Sequence, residues 1–361
     1  MKIAGIIAEY NPLHPGHIYH IRHTRADAVV CVMDGAFTQR GEPAIFDKFA
    51  RVRMALRAGC AAVIELPAVY AVAGARDFAR GGVDILTQIG ADEISFGCET
   101  EELPRIEAAA RLLLEEPEWL KAKIKQGLAE GKSYPRATGE ALGEPLMAEP
   151  NFILAVEYVR RILETGSRLT PFVLKRTDDY HSGGAGAVRR LIHGGNMAAA
   201  LADLPEGLRE LYITEPVSEF ARTDNVILEL VRRGFVTFDD TEGLFDRIKT
   251  AARSAESVAE LLERVKCKRY TRARIQRELT RAVLELPPAP ERPPYLRLLG
   301  VRRDSTHILR QLTGISSDPV RLRGNPYFEA ECRATDFWGL TTNRPEYRIC
   351  GRDYTQKFII E

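Results

Sequence analysis

The chain has 361 residues, of which 45% are hydrophobic and 28% are charged, values typical of a globular protein with a sizeable core. This length argues against a single small binding module. The 51 basic and 50 acidic residues leave a formal net charge of +1, which excludes a global field for steering nucleic acid, so any such surface must be local.

Apolar, β-branched runs alternate with helical patterns over the first hundred residues. The runs predict strands at 2–7, 28–33, 61–66 and 93–96. The segments between them predict helices at about 17–25, 46–58 and 76–89. This alternation predicts an open α/β fold, with a parallel sheet covered on both faces.

Helical patterns dominate the rest of the chain, with a fifth strand expected at 170–175. We expect an α/β domain over 1–190 with a helical insertion at about 103–165, then a mainly helical region over 191–361. The proline-rich stretch 286–294 should act as a stiff connector. Residues 127–133 look like a phosphate-binding P-loop, but they have three residues between the glycines instead of four, which favours a helix end and turn.

Neither export nor a metal site is indicated by the sequence. The apolar amino terminus is too short for a signal core, and no segment predicts a membrane span. The six cysteines are widely separated, without a Cys-x-x-Cys pair, as expected for thiols in a reducing compartment. We therefore expect a cytoplasmic protein with no membrane partner.

Four of the seven histidines lie within ten residues, directly after the first strand. A helix starting near Gly16 would present free N–H groups to an anion, with His14 and His17 as ring donors on either side. Such donors would stabilise charge on a phosphate during in-line displacement, so we interpret both histidines as catalytic. Capping or surface histidines are the structural alternative. A metal site on His17, His20 and His23 is weaker, because no carboxylate or cysteine completes a ligand set.

Several separated motifs together carry a family resemblance. They lie at 8–17 (AEYNPLHPGH), 39–44 (QRGEPA), 64–67 (IELP), 96–99 (FGCE), 150–151 (PN), 175–176 (KR), 268–271 (KRYT) and 333–336 (RATD). Their order resembles that of the tRNA(Met) cytidine acetate ligases, within the HxGH nucleotidyltransferases. The resemblance implies a nucleotidyltransferase-like first domain that activates acetate with ATP as acetyl-adenylate. The acetyl group would then pass to the N4 amine of the wobble cytidine in elongator tRNA(Met).

The resemblance also implies an ATP site, with Mg²⁺ as the expected counter-ion. Its residues would be Ile7, Ala8, Glu9, Tyr10, Asn11, Pro12, Leu13, His14, Pro15, Gly16, His17, Ile18, Tyr19, His20, Gly97, Asn151, Arg176 and Arg189. Glycine at 97 lets a base or ribose approach closely, and the amide and guanidinium groups are suitable donors.

One motif departs from the family pattern. Where relatives carry a Ser-Ala-Thr-Ala-Ile-Arg-like run, residues 184–189 read GAGAVR, which keeps Arg189 and the backbone donors but loses both hydroxyls. Backbone amides can still hold an anion. A catalytically weakened ATP- and RNA-binding homologue therefore remains an alternative, as does a nucleotidyltransferase with another small acceptor.

A local positive charge lies at 264–281, where eight basic residues accompany one acidic residue. We expect tRNA contacts from this segment, which favours RNA over a small acceptor. The candidates are Lys268, Arg269, Tyr270, Arg272 and Arg277, with the tyrosine as a stacking ring. A solvated helix face is the alternative. After the second strand, Arg40 and Lys48 could reach the same crevice as ATP, although Arg40 could instead belong to a structural turn.

Overall fold

The computed structural model describes residues 1–176, 183–234 and 243–361. Its framework is a seven-stranded sheet of order β5-β4-β1-β2-β3-β6-β7. The strands are β1 (Ile3–Ala8), β2 (Ala28–Asp34), β3 (Ala62–Leu66), β4 (Glu93–Cys98), β5 (Thr170–Lys175), β6 (Leu298–Val301) and β7 (Ile359–Ile360). The first five strands pair in parallel, β6 joins β3 antiparallel, and β7 runs parallel to β6.

Seventeen helices are described around this sheet. Through residue 193 they are α1 (Pro15–His23), α2 (Lys48–Ala58), α3 (Ala68–Ala71), α4 (Ala75–Gln88), α5 (Leu103–Glu115), α6 (Glu118–Ala129), α7 (Tyr134–Leu142), α8 (Pro150–Thr165) and α9 (Ala185–His193). Beyond it they are α10 (Met197–Leu201), α11 (Glu206–Thr214), α12 (Asp224–Arg233), α13 (Leu244–Ala252), α14 (Val258–Val265), α15 (Arg272–Val283), α16 (Pro326–Gly339) and α17 (Arg352–Thr355). Five short 3₁₀ helices connect them, at Pro145–Ala148, Phe220–Thr223, Arg303–Arg310, Pro319–Leu322 and Pro345–Arg348.

The sheet separates two hydrophobic cores, and β2 shows why. All of its residues are buried, as expected for a central parallel strand covered on both faces. Side chains alternate between faces along a strand, so Val30 and Val32 enter the core with α4, α5 and α8, while Cys31 and Met33 enter the core with α2, α9 and α11. A third core lies within α12 to α15.

The α/β prediction is confirmed, including the strand at Thr170–Lys175 and the turn between α6 and α7. The region after residue 190 is mainly helical, as expected, but it also supplies β6 and β7, which the sequence pattern did not reveal. With four and two residues, these strands are too short to show a period.

All six cysteines are free thiols. Among the described residues, no helix is both long and apolar enough to cross a membrane.

Candidate active site

A cavity of about 470 Å³ lies where β1, β4 and β5 end. These strands are neighbours in the sheet, and the chain order reverses at the boundary between β1 and β4. Open α/β sheets bind ligands at such a switch point, beyond the carboxyl ends of the strands. The cavity therefore lies where the fold favours a nucleotide.

The two candidate catalytic histidines form the cap of α1. The Nδ1 atom of His14 accepts the N–H of Gly16 at 3.1 Å, and Nδ1 of His17 accepts the N–H of His14 at 3.3 Å. A neutral ring whose Nδ1 accepts a hydrogen bond carries its proton on Nε2. The capping box thus fixes the tautomer in which each Nε2–H is a donor, so a capping role and a phosphate-binding role are compatible.

Both rings are neutral at physiological pH. Burial lowers the pKa of His14 to about 4, assisted by Arg176 and Arg189. Burial also holds the pKa of His17 well below its usual value, with His14, His20 and Arg176 adding to the effect. The pair can therefore donate to phosphate oxygens without bringing a permanent positive charge.

The other two histidines of α1 point to different partners. His20 Nε2 lies 2.8 Å from Ser95 Oγ, while the ring of His23 stacks on Tyr19 with centroids 3.7 Å apart. Within 1–176, 183–234 and 243–361, no group of three or more metal-ligating side chains is found. These contacts argue against the metal alternative for the histidine cluster.

The opposite wall of the cavity joins β4, α8 and the end of β5. Asn151 donates from Nδ2 to Glu99 at 2.7 Å and accepts from Arg176 at 3.5 Å. A Cβ on Gly97 would lie 3.4 Å from Cγ of Arg176, so the stem of this arginine passes directly beside the end of β4. Gly97, Asn151 and Arg176, distant in sequence, are brought together on this wall.

The amino terminus of α9 also faces the cavity. Gly183, Gly184 and Ala185 line it, and the first-turn N–H groups of a helix form an anion site. Arg189, one turn further, donates to the carbonyl of Asn11 in the histidine loop. Two helix amino termini, from α1 and α9, therefore share one cavity.

Most of the predicted ATP residues line this cavity: Ile7, Ala8, Glu9, Tyr10, Asn11, His14, Gly16, His17, Tyr19, His20, Gly97, Asn151 and Arg176. Pro12, Pro15 and Arg189 lie beside it without lining it. Leu13 and Ile18 do not line it either, because their side chains are buried in the core with α2 and α11.

Sequence reasoning missed part of the lining. Leu154 and Tyr158 follow Asn151 on α8 at steps of three and four residues, which places them on one helix face. That spacing was the available signal. Phe78 and Phe96 complete the apolar side, and the ring of Phe96 lies 5.6 Å from that of Tyr158.

Of the two cations expected in the crevice after β2, only Arg40 lines the cavity. The prediction for Lys48 is wrong. Its Nζ is fully buried between Glu65, Glu331 and Asp353, at 2.8, 3.0 and 2.7 Å. Lys48 belongs to a structural ion network because its position on α2 directs the side chain toward β3 instead of the cavity.

The basic segment 264–281 runs from the end of α14 through most of α15, and α15 packs against the loop that carries Arg40. Lys268, Arg269 and Arg272 are exposed, and Arg272 pairs with Glu263 at 2.7 Å. Arg277 is half-buried, and a Cβ on Gly41 would lie 2.9 Å from its Cα, so α15 touches the loop that carries Arg40. Gly41 has φ +78°, a conformation that suits glycine.

The stacking role expected of Tyr270 is wrong. The residue is 6% exposed and belongs to the core of α12 to α15. Arg269 and Arg274 lie over its ring at 5.5 and 5.4 Å from the centroid. Tyr270 therefore supports the basic side chains from below instead of presenting a ring to RNA.

The amino-acid sequence is similar to known proteins over nearly its whole length. The HIGH Nucleotidyl Transferase family matches residues 1–350. A tRNA(Met) cytidine acetate ligase of Acetivibrio thermocellus is 34% identical, with 100% of both chains covered. That of Bacillus subtilis is 32% identical over 96% of this chain and 94% of its own.

The fold comparison agrees. The crystal structure of Thermotoga maritima TmcAL bound with alpha-thio ATP superposes with a TM-score of 0.90 at 29% identity, covering 100% of this chain and 99% of the other. The apo form matches equally well, at 28% identity. The chain belongs to the tRNA(Met) cytidine acetate ligase family of HIGH nucleotidyl transferases.

Proposed function

We propose that this enzyme uses ATP to activate acetate as acetyl-adenylate and acetylates the N4 amine of the wobble cytidine in elongator tRNA(Met). The observation that carries the proposal is the cavity, where the fixed histidine donors and two helix amino termini meet in a chain that matches tRNA(Met) cytidine acetate ligases from end to end. Because tRNA is the acceptor, the enzyme acts in the cytoplasm.

The geometry supports attack of an acetate oxygen on the α-phosphorus of ATP. The new C–O–P linkage forms as the bond to pyrophosphate breaks, and the Nε2–H groups of His14 and His17 stabilise the charge on phosphate oxygens. Gly97, Asn151 and Arg176 would hold the nucleoside end, and the first turn of α9 the phosphates. No covalent enzyme intermediate is required.

Among the described residues, no group of side chains forms a dedicated magnesium site at this cavity. Glu9 is the single carboxylate among the described lining residues, and Mg²⁺ prefers several oxygen ligands. An ion that accompanies ATP would therefore be held mainly by the phosphates.

The exposed basic side chains before and at the start of α15, those of Lys268, Arg269 and Arg272, are proposed to contact tRNA phosphates. Lys268 and Arg269 precede α15 and Arg272 begins it, while Gln276 and Thr280 further along the same helix donate to the carbonyl of Gly41, in the loop that carries Arg40. This local positive surface favours an RNA acceptor over a small one.

The test separates the two half-reactions. Purified enzyme is incubated with ATP and labelled acetate, first without RNA and then with elongator tRNA(Met), and acetyl-adenylate and N4-acetylcytidine are quantified. Label in both products is expected. Labelled adenylate without transfer to this tRNA would point to another acceptor, and failure to form adenylate would contradict the proposed activity.

A further inference from the structure

The acetyl-transfer step leaves a proton to be removed. When the cytidine N4 amine attacks the acetyl-adenylate carbonyl, a C–N bond forms, the C–O bond to phosphate breaks, and AMP leaves with the electron pair. The nitrogen must lose a proton, and a positioned general base usually accelerates such a transfer by about 10² to 10⁴. Adenylate formation has no such requirement, because acetate is already an anion.

The two catalytic histidines are unsuited to that role. Their Nδ1 atoms already accept backbone N–H groups, and the proton on each Nε2 leaves no free basic nitrogen. His20 is held through Nε2 to Ser95, and burial lowers its pKa to about 4, so it is a weak base.

Glu9 is placed differently. It follows β1 directly, lines the cavity, and is the only Asp or Glu among the described lining residues. Its Oε1 accepts the N–H of Gln39 at 2.8 Å, which fixes the carboxylate, while Oε2 accepts no hydrogen bond from the part of the chain described. One oxygen is thus anchored and the other is available to a substrate.

We propose that Glu9 is the general base of the transfer step, taking the N4 proton of cytidine on Oε2 and passing it to solvent after AMP leaves. This inference rests on the proposed function. Glu9 is suited to the task because burial raises its pKa, although Gln39, Arg189, Arg40 and Arg51 oppose the shift. A base whose pKa approaches the working pH accepts a proton more readily.

The test is a single-turnover experiment with Glu9→Gln, which keeps an oxygen acceptor for the Gln39 N–H but cannot accept a proton. Acetyl-adenylate is first formed on the enzyme from ATP and labelled acetate, and elongator tRNA(Met) is then added. We expect transfer to slow by about 100-fold or more, while adenylate formation falls less than tenfold. In the wild type, the transfer rate should rise with pH as Glu9 ionises, and the variant should lose this rise.

Glu42→Gln is the matched control, because it removes a carboxylate from the same loop region outside the cavity lining. It should transfer at close to the wild-type rate. Equal losses in both half-reactions of Glu9→Gln, or an unchanged pH profile, would overturn the base assignment in favour of a positioning role. Wild-type enzyme that forms no acetyl-adenylate would instead refute the proposed function, so the two failures are distinguishable.

Discussion

At the scale of single residues, the two histidine rings that cap α1 are also the proposed phosphate donors. His17→Ala removes one phosphate donor and one half of the capping box. We expect adenylate formation to fall at least tenfold through weaker transition-state stabilisation, since removing a comparable donor elsewhere costs about 10² to 10³ in kcat. Loss of the hydrogen bond from the His14 N–H to the His17 ring should also reduce stability by about 0.5 to 1.5 kcal/mol.

The rate of adenylate formation at saturating ATP measures the effect on chemistry. The melting temperature measures the effect on stability of losing the capping hydrogen bond. His23→Ala is the control, because its exposed ring contacts Tyr19 on the same helix but not the cavity. A His17→Ala enzyme with a lowered melting temperature and unchanged kcat would reduce His17 to a capping residue.

At the scale of elements, the two hydroxyl side chains that the family motif carries can be restored at the start of α9. Gly184 caps the helix without a side-chain hydrogen bond, a Cβ there would meet nothing within 4 Å, and one on Gly186 would meet only arginine side-chain ends at 3.8 Å or more. Gly184→Ser with Gly186→Thr should therefore fit. Each hydroxyl bond to a charged phosphate is worth about 1.5 to 3 kcal/mol before ordering costs, so ATP binding should tighten about tenfold or more.

Calorimetric titration with ATP checks this, and Gly184→Ala with Gly186→Ala supplies Cβ atoms without hydroxyls. If both pairs tightened ATP binding equally, the cause would be the reduced flexibility of the helix start instead of new hydroxyl–phosphate contacts. Weaker binding by the Ser and Thr pair would mean that the glycines serve a different approach to the ligand.

The basic segment leading into α15 makes a second element-level prediction. Replacing exposed Lys268, Arg269 and Arg272 by Ala should weaken tRNA binding and reduce its salt slope by roughly 0.7 to 0.9 for each phosphate that these side chains neutralise. Adenylate formation without RNA should stay close to wild type. Filter binding across a salt series gives the slope.

Arg277 is left out of that set because it is half-buried and its backbone packs at Gly41, in the loop that carries Arg40. An unchanged salt slope in the triple variant would mean that these side chains do not contact tRNA and belong to a solvated surface.

At the scale of the whole molecule, a buried ion network joins distant parts of the chain. Lys48 and Arg297 meet three carboxylates, those of Glu65, Glu331 and Asp353, with every side chain at most 3% exposed. Burial raises the pKa of Glu331 to about 7 despite the opposing effect of Lys48. The network ties β3 to α16 and α17, so the carboxyl-terminal segment is held against the central sheet.

Lys48→Met should therefore destabilise the fold by about 3 to 5 kcal/mol, because it leaves uncompensated buried carboxylates. Urea unfolding followed by circular dichroism measures the change in stability. Lys121→Met removes an exposed ion pair with Glu118, worth about 0.2 to 1 kcal/mol, and is the matched control. Similar midpoints for the two variants would contradict a structural role for the network.

The sequence by itself determined the features that depend on neighbours along the chain. The β-branched runs predicted five strands, and the spacing of His14, Gly16 and His17 predicted a helix start directly after β1. These succeed because strand and helix periods and caps are local properties.

Only the tertiary structure decided which way long side chains point and which remote segments meet. The tertiary structure directs Lys48 into a buried ion network, places Tyr270 in a core and packs α15 against Gly41. It also added β6 and β7 to the sheet edge. A charged or aromatic residue looks the same in sequence whether buried or exposed, and pairing of short edge strands depends on contacts between segments far apart in the chain, so neither has a local signal.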